Sequence, residues 1–283
     1  MLKRNISRLA AVIFTATSLF FAGCASAPVE NPVDPAELLG GDGAIYMVVP
    51  VQPNEEFVKL AVRKISGCSE KDAEKITSRA GDIYISVGLD GNAELSADGD
   101  FPSRMISLAL TEKKGWTKNQ FNEYKYYSSV NSPYSISLPS SKIAVAAKNI
   151  GPMLSRFDDC ANNDIHTVSL DEEIYSFLKS DAAGSIQVFA PVPKAFIRAF
   201  IGADVSSPVQ SISGTFTDLK DKKDEFGLKI TVKMNDPKTV RAAVAALKLA
   251  LFPIPAKVVQ SGADTISITD ITLGYDDLLK FIK

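Results

Sequence analysis

MVVPVQPNEEFVKLAV at residues 47–62 and VFAPVPKAFIRAFI at 188–201 decide the fold, because the two stretches are built alike. Each runs from an apolar, strand-like segment through Pro-Val to a second proline and then into a helical pattern. Each helix opens with a Phe, a β-branched residue and a cation: Phe57-Val58-Lys59 in one, Phe196-Ile197-Arg198 in the other. The likeness continues downstream. DIYISVGLDGNAELSADGDFPS at 82–103 alternates apolar residues on either side of Asp90-Gly91, which is a hairpin signal. SISGTFTDLKDKKDEFGLKITVKMNDPK at 211–238 alternates around a longer charged loop. Both hairpins lead into a helix with proline near its first turn, Pro102 and Pro237, where a missing backbone N–H costs least. A third block, SKIAVAAKNIGPMLSRF at 141–157 and DTISITDITLGYDDLLKFI at 264–282, gives a strand, a glycine turn and a short helix in each half.

The pattern predicts two similar β-α-β-β-α-β-β-α halves of the α+β class, residues 44–165 and 166–283, with antiparallel sheets covered by amphipathic helices. Two copies make a duplication rather than a solenoid. Extra helices are predicted at 69–80, where Ser69 and Asp72 have capping-box spacing and Gly81 ends the helix, and at 169–180.

Upstream of the first half lie Lys3, Arg4 and Arg8, then the apolar run LAAVIFTATSLFFAG at 9–23. This is a secretory signal, residues 1–23, too short and wrongly flanked for a lasting span. FAGC at 21–24 resembles a bacterial lipobox with Phe21 in the usual leucine position, a looseness found in spirochaetal lipoproteins; the resemblance makes Cys24 the acylated N-terminus. Cleavage near ASA at 25–27 is the plain secretory alternative. The Pro- and Gly-rich stretch to residue 43 reads as a flexible tether, so that 24–43 links lipid to body. Of the other cysteines, Cys68 and Cys160 form an even pair that an exported chain can join as a disulfide or keep as buried thiols.

Losing residues 1–23 leaves 28 basic against 33 acidic residues, a net charge of −5. A mildly acidic chain with no basic block does not fit nucleic-acid binding. His166 is the only histidine, and it follows Asn162-Asn163-Asp164 in the connection between halves. There is no Cys-x-x-Cys, no paired histidines and no nucleophile elbow, so the expectation is a non-enzymatic protein with no cofactor and no metal. GGDG at 40–43 lacks the lysine of a phosphate loop, and DLKDKKDE at 218–225 lacks calcium-loop spacing.

Apolar helix surface remains to be explained. At about 100° per residue, Lys194 and Arg198 lie on one side of the 194–201 helix, and Phe196, Ile197, Phe200 and Ile201 fill the rest. In 238–252, Val240, Val244, Leu247 and Leu251 form a clean stripe at i, i+4, i+7 and i+11, sufficient to cover a sheet. Leu249 and Phe252 fall outside that stripe, beside Arg241 and Lys248. The helix at 102–116 has a similarly wide arc, and Trp116 follows its Gly115 stop. Three destinations are open: burial between the halves, the interface of a membrane with the cations snorkelling, or a hydrophobic cleft holding a lipid or glycolipid. None of these helices can span: fifteen residues reach about 22 Å against a core of about 30 Å.

The lipobox-like FAGC, the Pro-rich tether, the duplicated plan and the apolar helices with sparse cations together resemble treponemal outer-membrane-associated lipoproteins. The resemblance implies a lipid-anchored protein on the periplasmic side of the outer membrane, inserting amphipathic helices into the inner leaflet. On this reading membrane lipid is the partner. Phe196, Ile197, Phe200, Ile201, Leu249, Phe252 and Trp116 are the contact residues, and Lys194, Arg198, Arg241 and Lys248 the interfacial cations. A lipid or glycolipid carrier is the second reading and a surface-exposed adhesin the third.

Overall fold

A computed structural model describes residues 33–66, 70–102, 110–130, 132–162, 170–180, 183–201, 208–222, 224–252 and 254–275. Its frame is one antiparallel sheet. β1 (Ile45–Pro50) and β8 (Ile186–Ala190) lie side by side near its middle, with Met47 opposite Val188. Both strands are apolar nearly throughout, as strands covered on two faces must be: Ile45, Met47 and Val49 point to one core, Tyr46 and Val48 to the other.

From β1 the sheet runs outward through β2 (Ala80–Val87), β3 (Ala93–Gly99), β7 (Ile143–Ala147), β6 (Ser132–Ser137), β5 (Tyr124–Ser129) and β4 (Trp116–Phe121). From β8 it runs through β9 (Val209–Asp218), β10 (Glu225–Met234), β12 (Thr265–Gly274) and β11 (Lys257–Gln260). In each direction the first three strands are neighbours in chain order and the last strand of the block returns beside the third. The β2–β3 hairpin turns at Asp90-Gly91, where Gly91 takes φ 78°, the left-handed geometry that favours glycine.

Two expectations are corrected here. The halves do not form separate sheets: β1 pairs with β8, giving one twelve-stranded sheet among the described residues. Among the described residues the first block also has seven strands rather than five. The extra hairpin, β4–β5, turns at Asn122 with φ 51°; β4 is mostly polar and half exposed and β5 is a half-buried run of tyrosines and serines, so neither shows the apolar alternation that marks a strand in sequence.

Helices cover one face across both blocks. These are α1 (Glu55–Ser66), α2 (Glu70–Thr77), α5 (Pro193–Ile201) and α6 (Val240–Ala250). Phe57 of α1 crosses the seam to meet Phe226 edge-on at 5.1 Å and Tyr275 at 5.3 Å. The other face is covered mainly over the first block, by α3 (Gly151–Asn162) and α4 (Glu172–Leu178). Over the second block that face is polar, with Lys229 opposite Thr215 and Thr231 opposite Ser213. An antiparallel sheet can leave such a face in water.

The predicted tether is corrected in its second half. Pro35–Leu38 is a 3-10 turn capped by Asp34, and Ala36, Leu38 and Leu39 are fully buried against the second face. Glu94 accepts from the Gly40 N–H at 2.6 Å and from Arg156 at 2.7 Å, while Arg156 also donates to the Leu38 carbonyl. The Tyr46 hydroxyl ties Gly43 to Gly40. The body therefore begins by Asp34. Residues 1–32, including Cys24, lie outside the described residues.

Candidate functional site: an exposed apolar edge

The second block ends in a helix that is well anchored at its start. Asp236 accepts from the Lys238 N–H at 2.9 Å, Pro237 begins the turn, and Val240 is buried. Val244, Leu247 and Leu251 pack half-buried on the core, so the predicted stripe covers β11 and β12 as expected. Beyond that stripe the surface is apolar. Leu249 is 78% exposed and Phe252 86%, and Ile254 follows at 44%. Leu251 closes the helix by donating to the Leu247 carbonyl, and the Ile254 N–H bonds the Leu251 carbonyl, which fixes Phe252 outside the core.

Arg241 and Lys248 of the same helix are exposed, with no acidic residue between positions 237 and 263. Of the six exposed large apolar side chains among the described residues, three lie here; Leu89 and Val130 are single residues at hairpin turns, and Val259 lies on the opposite face of β11 from buried Val258. Single exposed apolar residues are ordinary, but a cluster rimmed by cations marks an interaction surface.

The other predicted contact residues are dispersed. Phe196 is a correction: at 7% exposure it is part of the core, because the Pro193 entry turns that side of α5 onto the sheet. Ile197 is half-buried against the same core, and Lys194 is exposed. The side chains of Arg198, Phe200 and Ile201 lie outside the described residues. Trp116 is half-buried at the start of β4, and β4 and β11 are the two opposite edges of the sheet, so Trp116 does not join Leu249 and Phe252.

Of the two alternatives open for Cys160, the buried free thiol is the one present. Cys160 is a free, buried thiol 3.5 Å from the Glu37 carboxylate, and burial with that acceptor pushes its pKa up to about 12. Cys68 and His166 lie outside the described residues. Ile254 is the addition that sequence reasoning missed. It continues the patch beyond the helix, where a helical wheel no longer applies.

The family model for outer membrane-associated lipoprotein TP0453 matches residues 30–278. Crystal form III of TP0453 has the same fold with a TM-score of 0.68 at 18% identity, covering 89% of this chain and 98% of that one. Crystal form I gives 0.66 at 18% identity, covering 88% and 96%. Crystal form IV gives 0.64 at 17%, covering 90% and 98%. No curated protein matches the chain.

Proposed function

The chain belongs to the family of outer membrane-associated lipoprotein TP0453, and from that membership we propose that it is a non-enzymatic protein anchored through acylated Cys24 that docks on the periplasmic leaflet through the apolar end of α6. The observation that carries this reading is the cluster of Leu249, Phe252 and Ile254, exposed together at the end of the helix that also presents Arg241 and Lys248. Leu and Phe side chains gain by entering the acyl boundary, and the cations remain at headgroup level. Burying one such side chain contributes about 1.5–3 kcal/mol. Helix α6 has eleven residues, so it lies in the interface and does not cross it. The matching strand order of the two blocks supports descent from a duplicated unit, with α5 after β8 in the place that α1 takes after β1.

The test is vesicle flotation of the mature chain with Cys24→Ala, so that no acyl anchor contributes. The parent should float, and Phe252→Asp should lower its partition by about tenfold or more, since loss of about 1.4 kcal/mol already gives tenfold. Because Phe252 is exposed, the melting temperature should not move. A parent that stays at the bottom of the gradient, or a variant that floats as well as the parent, would sink this reading.

A further inference from the structure

On the face opposite α6 a polar cleft of about 320 Å³ lies at the seam of the two blocks. Asp82 and Tyr84 of β2 form one side, Lys179 and Ser180 at the end of α4 another, and Ser185 and Gln187 at the start of β8 the third. Tyr84, Ser185 and Gln187 are buried polar side chains in the middle of a sheet, where apolar ones would pack at least as well. Their orientations are preset. Gln187 donates to the Ser180 carbonyl at 2.6 Å and accepts from the Ser180 hydroxyl at 3.0 Å, and the Ser185 and Thr217 hydroxyls are 2.7 Å apart. Gly184, with φ 80°, lets the loop pass Pro53, where a Cβ would come within 2.7 Å of that ring.

The charges favour one kind of ligand. Lys179 is already matched: its ammonium lies 2.9 Å from the Asp34 carboxylate and 3.4 Å from the Tyr84 hydroxyl. Asp82 is not matched in the same way. Its neighbours are Asp98 of β3, whose carboxylate accepts the Asp82 backbone N–H, the neutral Tyr84 hydroxyl, which donates a hydrogen bond to it, and the already engaged Lys179. An anion would have to displace Asp34 from Lys179, whereas a cation finds a carboxylate short of positive charge. The remaining wall offers acceptors from Tyr84, Ser180 and Gln187. The volume equals about ten waters at about 30 Å³ each, the size of an amino alcohol or a single amino sugar.

We propose that this cleft binds a small hydroxylated ligand carrying a primary ammonium group, with the ammonium on Asp82 and the hydroxyls on Tyr84, Ser180 and Gln187. The ligand is free in solution or is the headgroup of an ethanolamine lipid. Because the cleft faces away from the α6 patch, the free form suits a protein docked through α6. The site itself stands apart from that docking.

The experiment is titration calorimetry of the mature chain with glucosamine and with ethanolamine, using glucose and N-acetylglucosamine as counterparts without the ammonium. Saturable heat is expected with the two amines alone. Asp82→Asn, which keeps the shape and an acceptor for Tyr84, should weaken it at least tenfold without lowering the melting temperature at pH 7. Lys179→Met should tighten it, the opposite of what an anion site would do. Flotation then separates the sources: equal binding of parent and Asp82→Asn to phosphatidylethanolamine vesicles identifies a free solute, and a selective loss on those vesicles identifies the lipid headgroup. No heat with either amine, equal affinity in Asp82→Asn, or glucose binding as well as glucosamine overturns the proposal. None of these outcomes depends on Phe252, so a failed cleft and a failed α6 docking remain distinguishable.

Discussion

Asp82 shows how one side chain can cost stability and still be useful. Burial and the neighbouring Asp98 raise its pKa, against the opposing pull of Lys179 and Tyr84. An acid whose folded pKa lies above its unfolded value destabilises the fold while it is ionised in both states, and the cost fades as pH falls through the folded pKa. Asp82→Asn should therefore raise the melting temperature at pH 7, and the gap from the parent should close as pH approaches the ordinary carboxylate range. A gap that widens on acidification would mean that Asp82 is stabilised as an anion. Cys160 behaves differently: with its thiol pushed up to about 12, it should resist alkylation at pH 8 and react on unfolding, as peptide mapping can read. At this scale the sequence was a poor guide to exposure. Phe196 and Phe252 both occur in apolar stretches with nearby cations, yet Phe196 sits within α5 and fills the core, whereas Phe252 lies past the end of α6 and faces solvent.

The elements themselves were more legible. Apolar alternation around Asp90-Gly91, the Pro237 start of α6 and the strand–Gly–helix block at 141–157 all correspond to observed elements. The polar β4–β5 hairpin and the buried 35–40 segment did not declare themselves, because composition misled in both: exposed strands look like loop, and two leucines among prolines look like tether. The second case is testable. Leu38→Ala should cost about 2–5 kcal/mol, since the side chain is wholly enclosed and its surroundings are pinned by Arg156 and Glu94. Chemical denaturation measures this directly; a cost below about 0.5 kcal/mol, the range of an ordinary surface change, would mean that the segment behaves as a tether after all. Phe196→Glu should be costlier still, as it places a charge in the core, whereas the same change at Phe252 should leave stability unmoved.

For the whole molecule the decisive feature is the seam. Sequence showed two similar blocks but not how they join, because edge-to-edge pairing of β1 and β8 leaves no mark in the alternation of either strand. The join is more than backbone pairing: Phe57 of the first block packs against Phe226 and Tyr275 of the second, and Asn54 donates to both the Pro50 and the Gly184 carbonyls. Such sharing predicts that the two blocks unfold as one cooperative unit. Trp116, the single tryptophan, lies at the far edge of the first block and so reports on a region remote from Phe226. Phe226→Ala should cost about 3–5 kcal/mol, and the midpoint read by Trp116 fluorescence should fall together with that read by far-ultraviolet circular dichroism. If the Trp116 transition keeps its parental midpoint while the dichroism splits into two steps, the blocks unfold separately and the seam is only an adhesion between domains. Coincident shifts would mean that the apolar edge at α6 and the cleft at the seam sit on one rigid frame. Docking at the first could then orient the second without any moving part between them.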